Sequence, residues 1–223
     1  MIQQLNNVEQ YSAEWFNKRL GKFTSSGIWQ LMVEPKEKTK KESGELSQTA
    51  KDYIIGKVAE RLTGIKREIN TEATTFGVQN EPVAIELYEL VTGNKVEPCG
   101  FIEAVEGIYG GTPDGLIKQG NGSIQVKCPF EPKNHIYYSL TNDQDHFKRK
   151  YREHYWQIQS DMFVSQTDWC DFVSYCPFMP KGKNIFILRI NRNDDDLAQL
   201  ENNIALAYKF MCKTIQDLNI DKS

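Results

Sequence analysis

No apolar run in the chain approaches the roughly 18 residues needed to cross a bilayer, which excludes an ordinary membrane-spanning helix. The opening Met-Ile-Gln-Gln-Leu-Asn-Asn lacks the basic and apolar segments of a signal peptide, so a cytosolic protein is expected. Cysteine is sparse and unpatterned. Cys99, Cys128, Cys170, Cys176 and Cys212 form an odd set with no Cys-x-x-Cys pair, so reduced core thiols are expected rather than a disulfide framework or a zinc site. Histidine is rarer still: His135, His146 and His154 are scattered without metal-ligand spacing, and loop or surface positions are expected for them. Excess positive charge is missing too. With 27 Lys and Arg against 30 Asp and Glu, the net charge of -3 does not announce a nucleic-acid binder. No internal repeat or low-complexity linker divides the chain, which reads as a single domain over residues 1–223.

What is present is ordinary globular composition, 39% hydrophobic and 26% charged, in a chain of 223 residues. That is enough for one sizeable α/β core. Ser25 and Ser26 before Ile28, Leu31 and Met32 predict a short helix with a hydroxyl cap. Residues 34–47, and 36–48 most clearly, are polar and lysine-rich and read as a mobile loop. Tyr53, Ile54, Val58 and Leu62 recur at helical spacing within residues 49–62. Phe76, Val83, Ala84, Leu87, Tyr88 and Val91 predict one apolar face on a helix over residues 74–91, stopped by Gly93. The period then shortens. Asn121-Gly122, between Leu116-Ile117 and Ile124-Val126, is a hairpin signal. A helix is predicted over residues 150–164, then strands in WCDFVSYCP and KNIFILRIN, then a terminal helix from Asp194, over residues 194–223. This order fits a mixed sheet with helices packed against it.

One stretch carries chemistry: GGTPDGLIKQGNGSIQVKCPF, residues 110–130. Metal-assisted phosphodiester hydrolysis needs hard oxygen ligands and a group that handles the attacking water. A turn aspartate, Asp114, precedes a hairpin whose second strand carries Gln125 and Lys127. Residues i and i+2 of a strand share a face, so positions 125 and 127 project together beside Asp114. Lys127 could orient water and stabilise developing phosphate charge. Glu81, on the preceding helix, is the natural further acid. Position 125, where such a centre wants an acid, holds an amide of nearly glutamate's shape. The Pro-Asp-Gly turn alone leaves a plainer reading open, with Asp114 a turn residue and Lys127 a strand-end charge. Two basic clusters, Lys36 to Lys41 and Lys148 to Arg152, the second flanked by Phe147, Tyr151 and Tyr155, read first as solvated faces.

Five blocks in order, WFNKRLGKFTSSGIWQLM, FGVQNEPVAIELYELVTG, GGTPDGLI, IQVKCPF and HYWQIQSDMFV, resemble the phage lambda exonuclease family, the YqaJ-like viral recombinases of the restriction-endonuclease-like superfamily. The resemblance spans roughly residues 12–190. It implies an α/β fold with a restriction-endonuclease-like central mixed sheet flanked by helices. It implies Mg²⁺-dependent digestion, with Mn²⁺ as substitute, of the 5′ strand of duplex DNA. On matching positions, Glu81 and Asp114 would be metal-site acids and Lys127 the catalytic lysine. Gln125 stands where the second metal-binding acid belongs, and the Val126 carbonyl would also face a metal. Arg19 matches the arginine that holds the 5′ phosphate, with Ser26 and Thr112 as hydroxyls of that pocket. Gln157 matches the glutamine of the trailing helix motif, and Gln159 lies at a different helical angle. The resemblance also implies a phage or prophage protein of a bacterial host, a ring-shaped trimer on DNA, and an annealing-protein partner for single strands.

Other classes stand beside this one. Gln125 supports a catalytically impaired DNA-end-binding relative. An exonuclease with an iron–sulfur centre would need a cysteine cluster, which the spacing does not suggest. A hydrolase of small phosphate esters explains neither the basic segments nor the five blocks.

Overall fold

The computed structural model describes residue 8, residues 10–66 and residues 71–218. The segment read for a leader, residues 1–7, and the last five residues of the expected terminal helix lie outside them. Helix α1 (Ala13–Arg19) leads to strand β1 (Phe23–Thr24), a 3-10 helix (Ser25–Met32), α2 (Lys38–Glu42), α3 (Gln48–Thr63) and α4 (Glu72–Thr92). Four short strands follow: β2 (Ile102–Val105), β3 (Tyr109–Gly111), β4 (Gly115–Ile117) and β5 (Gly122–Lys127). Then come α5 (Pro132–Ser139), α6 (Gln144–Lys150), α7 (Arg152–Ser165), β6 (Trp169–Tyr175), β7 (Ile185–Asn191) and α8 (Asp194–Asp217). Among the described residues, no helix is long and apolar enough to cross a membrane.

The fold is mixed α/β, with the strands divided between two mixed sheets. The larger has the order β4-β5-β6-β7, and the smaller β1-β3-β2. β5 and β6 run parallel, joined by the crossover of α5 to α7, while β4–β5 and β6–β7 are antiparallel. The period of two in β6 separates two cores. Cys170 and Phe172 face the cluster built on the 3-10 helix, α3, α7 and α8. Val173 and Tyr175 face the other cluster, with Ile124 and Val126 of β5 and Ala84 and Tyr88 of α4. Register pairs Gln125 with Phe172. Gln125 therefore lies on the α7 side of the sheet, opposite α4.

Several expectations change in three dimensions. The segment after Thr24 is a 3-10 helix, and its N-cap Thr24 makes no side-chain capping bond. Ser26 lies inside the first turn and is not a cap. Residues 34–47 contain the short helix α2, with Lys40 and Lys41 paired to Glu37 and Glu34. On α4 only Ala84 and Tyr88 are buried, while Val83 and Val91 face solvent, because the sheet touches a stripe narrower than the sequence pattern. Gly93 ends α4 in the left-handed conformation, as expected. The predicted helix over residues 150–164 is α7, which starts at Arg152, and a separate short helix, α6, precedes it across Tyr151 and was not foreseen. The hairpin tip puts Asn121 at φ 54°, and Gly122 is already strand. A side chain at Gly122 would strike the Trp169 ring, whose nearest atom lies 2.3 Å from an ideal Cβ. Helix α5 was not foreseen, although Pro132 at its first turn is a start signal.

The scarce residues are also placed differently. His135 is fully buried between the Ser174 hydroxyl and the Lys183 carbonyl. Cys99, Cys170 and Cys176 are core thiols, whereas Cys128 and Cys212 are only partly covered. Lys148 is not on a freely solvated face. It pairs with Asp196 at 2.7 Å, and Tyr155 donates to the same carboxylate at 2.6 Å.

Candidate active site

β4 is only three residues long, and its ladder with β5 ends at the pair Gly115–Ile124. Beyond it, β5 offers backbone donors with no strand beside them. The Asp114 carboxylate takes that place. Its Oδ2 accepts the Val126 N–H at 2.7 Å and a hydrogen bond from the Gln125 side-chain amide. The turn aspartate is thereby locked to the strand that carries Gln125 and Lys127. Glu81 approaches from α4, one residue before Pro82, whose missing N–H interrupts the helix ladder. Burial pushes the Glu81 carboxyl up to about 8, with Asp114 adding to the rise and Lys127 opposing it. Burial also raises Asp114, against the Lys127 ammonium and the Val126 N–H. A second acid held close in a site shielded from water adds to the proton affinity of Glu81.

A cleft of about 760 Å³ opens over the pair, lined among others by Glu81, Asp114, Ile85, Val96 and Tyr11. That volume lies within the usual range for ligand sites. Among the described residues, Gln125 Oε1 is buried and has no hydrogen-bond partner. An orphaned hard acceptor on the side chain that contacts Asp114, with Glu81 close to that carboxyl, suits a cation bound through oxygen. Among the described residues, no three His, Cys, Asp or Glu side chains converge on one point. The third donor here is an amide.

On the sheet face opposite α4, the Lys127 ammonium points to Gln157 of α7, with Nζ 3.4 Å from Oε1. One turn earlier on α7, His154 is not a surface residue. Burial, then Lys127, pushes its imidazole down to about 3, and Tyr138 shares a 2.9 Å hydrogen bond with its Nε2. Gln159 turns away, donating to the Asn191 carbonyl and accepting from the Asn193 N–H. It ties α7 to the start of α8.

Arg19, Ser26 and Thr112 meet in a second cluster. Arg19 donates to Ser26 Oγ at 3.2 Å and to Thr112 Oγ1 at 3.4 Å. Its guanidinium lies 4.0 Å over the Trp15 ring, and the Trp15 indole N–H also donates to Thr112. Stacking and hydroxyl contacts hold the planar fork in one orientation. Thr112 is two residues before Asp114, so one short segment joins both clusters.

Sequence reasoning missed Asp161, which is 2% exposed on α7, one turn beyond Gln157. Burial pushes its carboxyl up to about 7, against the pull of the Ser25 hydroxyl. The folded protein therefore keeps a proton that the unfolded chain, near the ordinary value of 3.8, releases. Folding stability falls as pH rises from about 4 to about 7 on this account and is flat above. Asp161→Asn removes that loss. Its melting temperature is expected to match the parent at pH 4, exceed it increasingly up to pH 7, and keep the gap at pH 8. Identical pH profiles for the two proteins would contradict this.

The family model for the YqaJ-like viral recombinase domain matches residues 14–168. Among solved structures, the chain is similar to an alkaline exonuclease, LHK-Exo, from Laribacter hongkongensis. Identity is 30%, coverage 93% of this chain and 96% of that one, and the TM-score 0.77. The structure of LHK-Exo in complex with dAMP matches equally well. A phage-related exonuclease from Haemophilus somnus 129PT shares the fold, with 19% identity, coverage of 88% and 96%, and a TM-score of 0.76. No curated protein sequence matches significantly.

Proposed function

The chain belongs to the YqaJ-like viral recombinase family, and from that premise we propose that it is a metal-dependent exonuclease. It digests the 5′ strand of duplex DNA from a phosphorylated end. The observation that carries the proposal is the junction at Thr112 and Asp114. There the arginine and hydroxyl cluster meets the carboxylate pair, with Lys127 two residues beyond Gln125 on the adjoining strand. An anion-binding fork beside a hard-oxygen site is what removal of a terminal nucleotide requires.

Each group of this chain has a task in that reading. Arg19, with Ser26 and Thr112, binds the terminal phosphate and sets the position of the scissile bond. Glu81, Asp114, the Gln125 amide oxygen and the Val126 carbonyl hold Mg²⁺, or Mn²⁺ in its place. Such a cation, when bound, would supply Lewis acidity at the phosphate and a coordinated water more acidic than bulk water. Lys127 orients the attacking water and neutralises charge that grows on the phosphate. Gln157 keeps the lysine aimed.

The test compares duplexes carrying a 5′ phosphate or a 5′ hydroxyl, digested with magnesium. Arg19→Ala is expected to slow the phosphorylated duplex far more than the hydroxyl-ended one, by about tenfold or more, since charge-assisted bonds are worth roughly 1.5–3 kcal/mol. Equal losses on both would rule out the phosphate role. A second reading rests on Gln125: a DNA-end-binding relative with impaired catalysis. It predicts tight binding to phosphorylated ends and no nucleotide release at any magnesium concentration.

A further inference from the structure

The basic run Lys148 to Arg152 has no task in the site just described. Its parts separate in three dimensions. Phe147 and Tyr155 are core, and Lys148 is committed to Asp196. Arg149, Lys150 and Arg152 are exposed, and none has an ion pair among the described residues. Lys150 Nζ lies 5.1 Å from the Tyr137 ring centre and 5.4 Å from that of Tyr151. These two rings, with Tyr138, Asn134 and Lys150, line a notch of about 140 Å³. Tyr137 is 51% exposed, leaving a ring face open to solvent. The Tyr151 hydroxyl is buried and has no hydrogen-bond partner among the described residues. Helix C-termini attract cations without help, but that effect requires no aromatic rings, and Lys150 has two.

The notch is well below the usual range for a whole small-molecule ligand and suits one planar ring. One open tyrosine face, an amide and three uncommitted cations are what a base and its flanking phosphates engage. The notch also adjoins the site, since Tyr138 holds the His154 imidazole that neighbours Lys127. Resting on the nuclease reading above, we infer that this notch binds a base of single-stranded DNA, the strand left unpaired as its partner is digested. Local charge has to supply this affinity, because the chain as a whole is acidic at -3.

Fluorescence anisotropy with a labelled 5′-hydroxyl oligothymidylate, in a chelator at low salt, tests it on the full chain. Tyr137→Ala is expected to weaken binding about tenfold. Tyr137→Trp keeps the stacking face and should bind at least as well as the parent. Lys150→Gln should reduce the slope of log affinity against log salt by ~0.7, one single-strand phosphate contact. Lys40→Gln, in the other lysine cluster, is the control and should change nothing. Parental affinity in Tyr137→Ala overturns the proposal. So does a Lys40→Gln loss equal to that of Lys150→Gln, or displacement of the oligonucleotide by polyglutamate as readily as by unlabelled DNA, since either means charge alone. Because the assay contains no metal and no 5′ phosphate, it separates from the nuclease reading. A parent that binds the oligonucleotide but never cleaves duplex would sink only that reading.

Discussion

Lys127→Ala should release no detectable nucleotide from a 5′-labelled duplex, while holding DNA within about tenfold of the parent, roughly 1.4 kcal/mol. The side chain sits at the end of β5, two residues past Gln125, and among the described residues makes one long hydrogen bond, to Gln157. Little folding energy depends on it. Ground-state binding loses one cation among several. Turnover loses more, because the ammonium stands where negative charge grows during phosphoryl transfer. There is a second consequence. Lys127 is the group that opposes the raised proton affinity of both Glu81 and Asp114. Without it both carboxyls keep their protons to higher pH, so divalent-ion binding should shift to higher pH as well. Calorimetric Mn²⁺ titrations at several pH values would register that shift without any cleavage. Undiminished nucleotide release by the variant would remove Lys127 from the mechanism.

Gln125→Glu is expected to raise the rate of nucleotide release at millimolar Mg²⁺ by at least about tenfold, which needs only ~1.4 kcal/mol of transition-state stabilisation. Mg²⁺ gives up water reluctantly and relies on carboxylates. The present site offers two, with an orphaned amide oxygen as third donor. From shape alone the exchange is silent for the hairpin. The structure adds a cost: the Gln125 amide donates to Asp114, and glutamate cannot. The metal-free variant therefore places two carboxylates in contact at a position 2% exposed and should melt lower than the parent. Divalent cations should raise its melting temperature more than they raise the parent's. The checks are release rate against Mg²⁺ and melting temperature against Mg²⁺ for both proteins. A glutamine form already as fast, with the same metal dependence, means residue 125 is not a rate-limiting ligand.

Much of the site was legible before any coordinates. Asp114, Gln125 and Lys127 could be grouped because strand period is short-range and the hairpin brings residues eleven apart together. Arg19, Ser26 and Thr112 were joined only by resemblance. Nothing local links Arg19 to Thr112 across 93 positions of chain. Asp161 escaped notice, and His154 was expected at the surface, for the opposite reason. Each sits among polar residues of an amphipathic helix, and a polar side chain reads as solvent-facing until the packing is known. Lys148 misled in the same way, since its partner Asp196 lies 48 positions on.

The residues themselves determined the class of fold, the hairpin, the long helices and the candidate chemistry of one strand, because hydrophobic period, turn residues and caps act over a few positions. Tertiary structure alone decided the division of the strands between two sheets, the narrow buried stripe of α4, and the extra helix α6 ahead of α7. It also decided that Asp114 would stand in for a missing strand and that Glu81 would share its environment. These depend on where a ladder ends and which surfaces lose water, and both are set by contacts far apart in sequence.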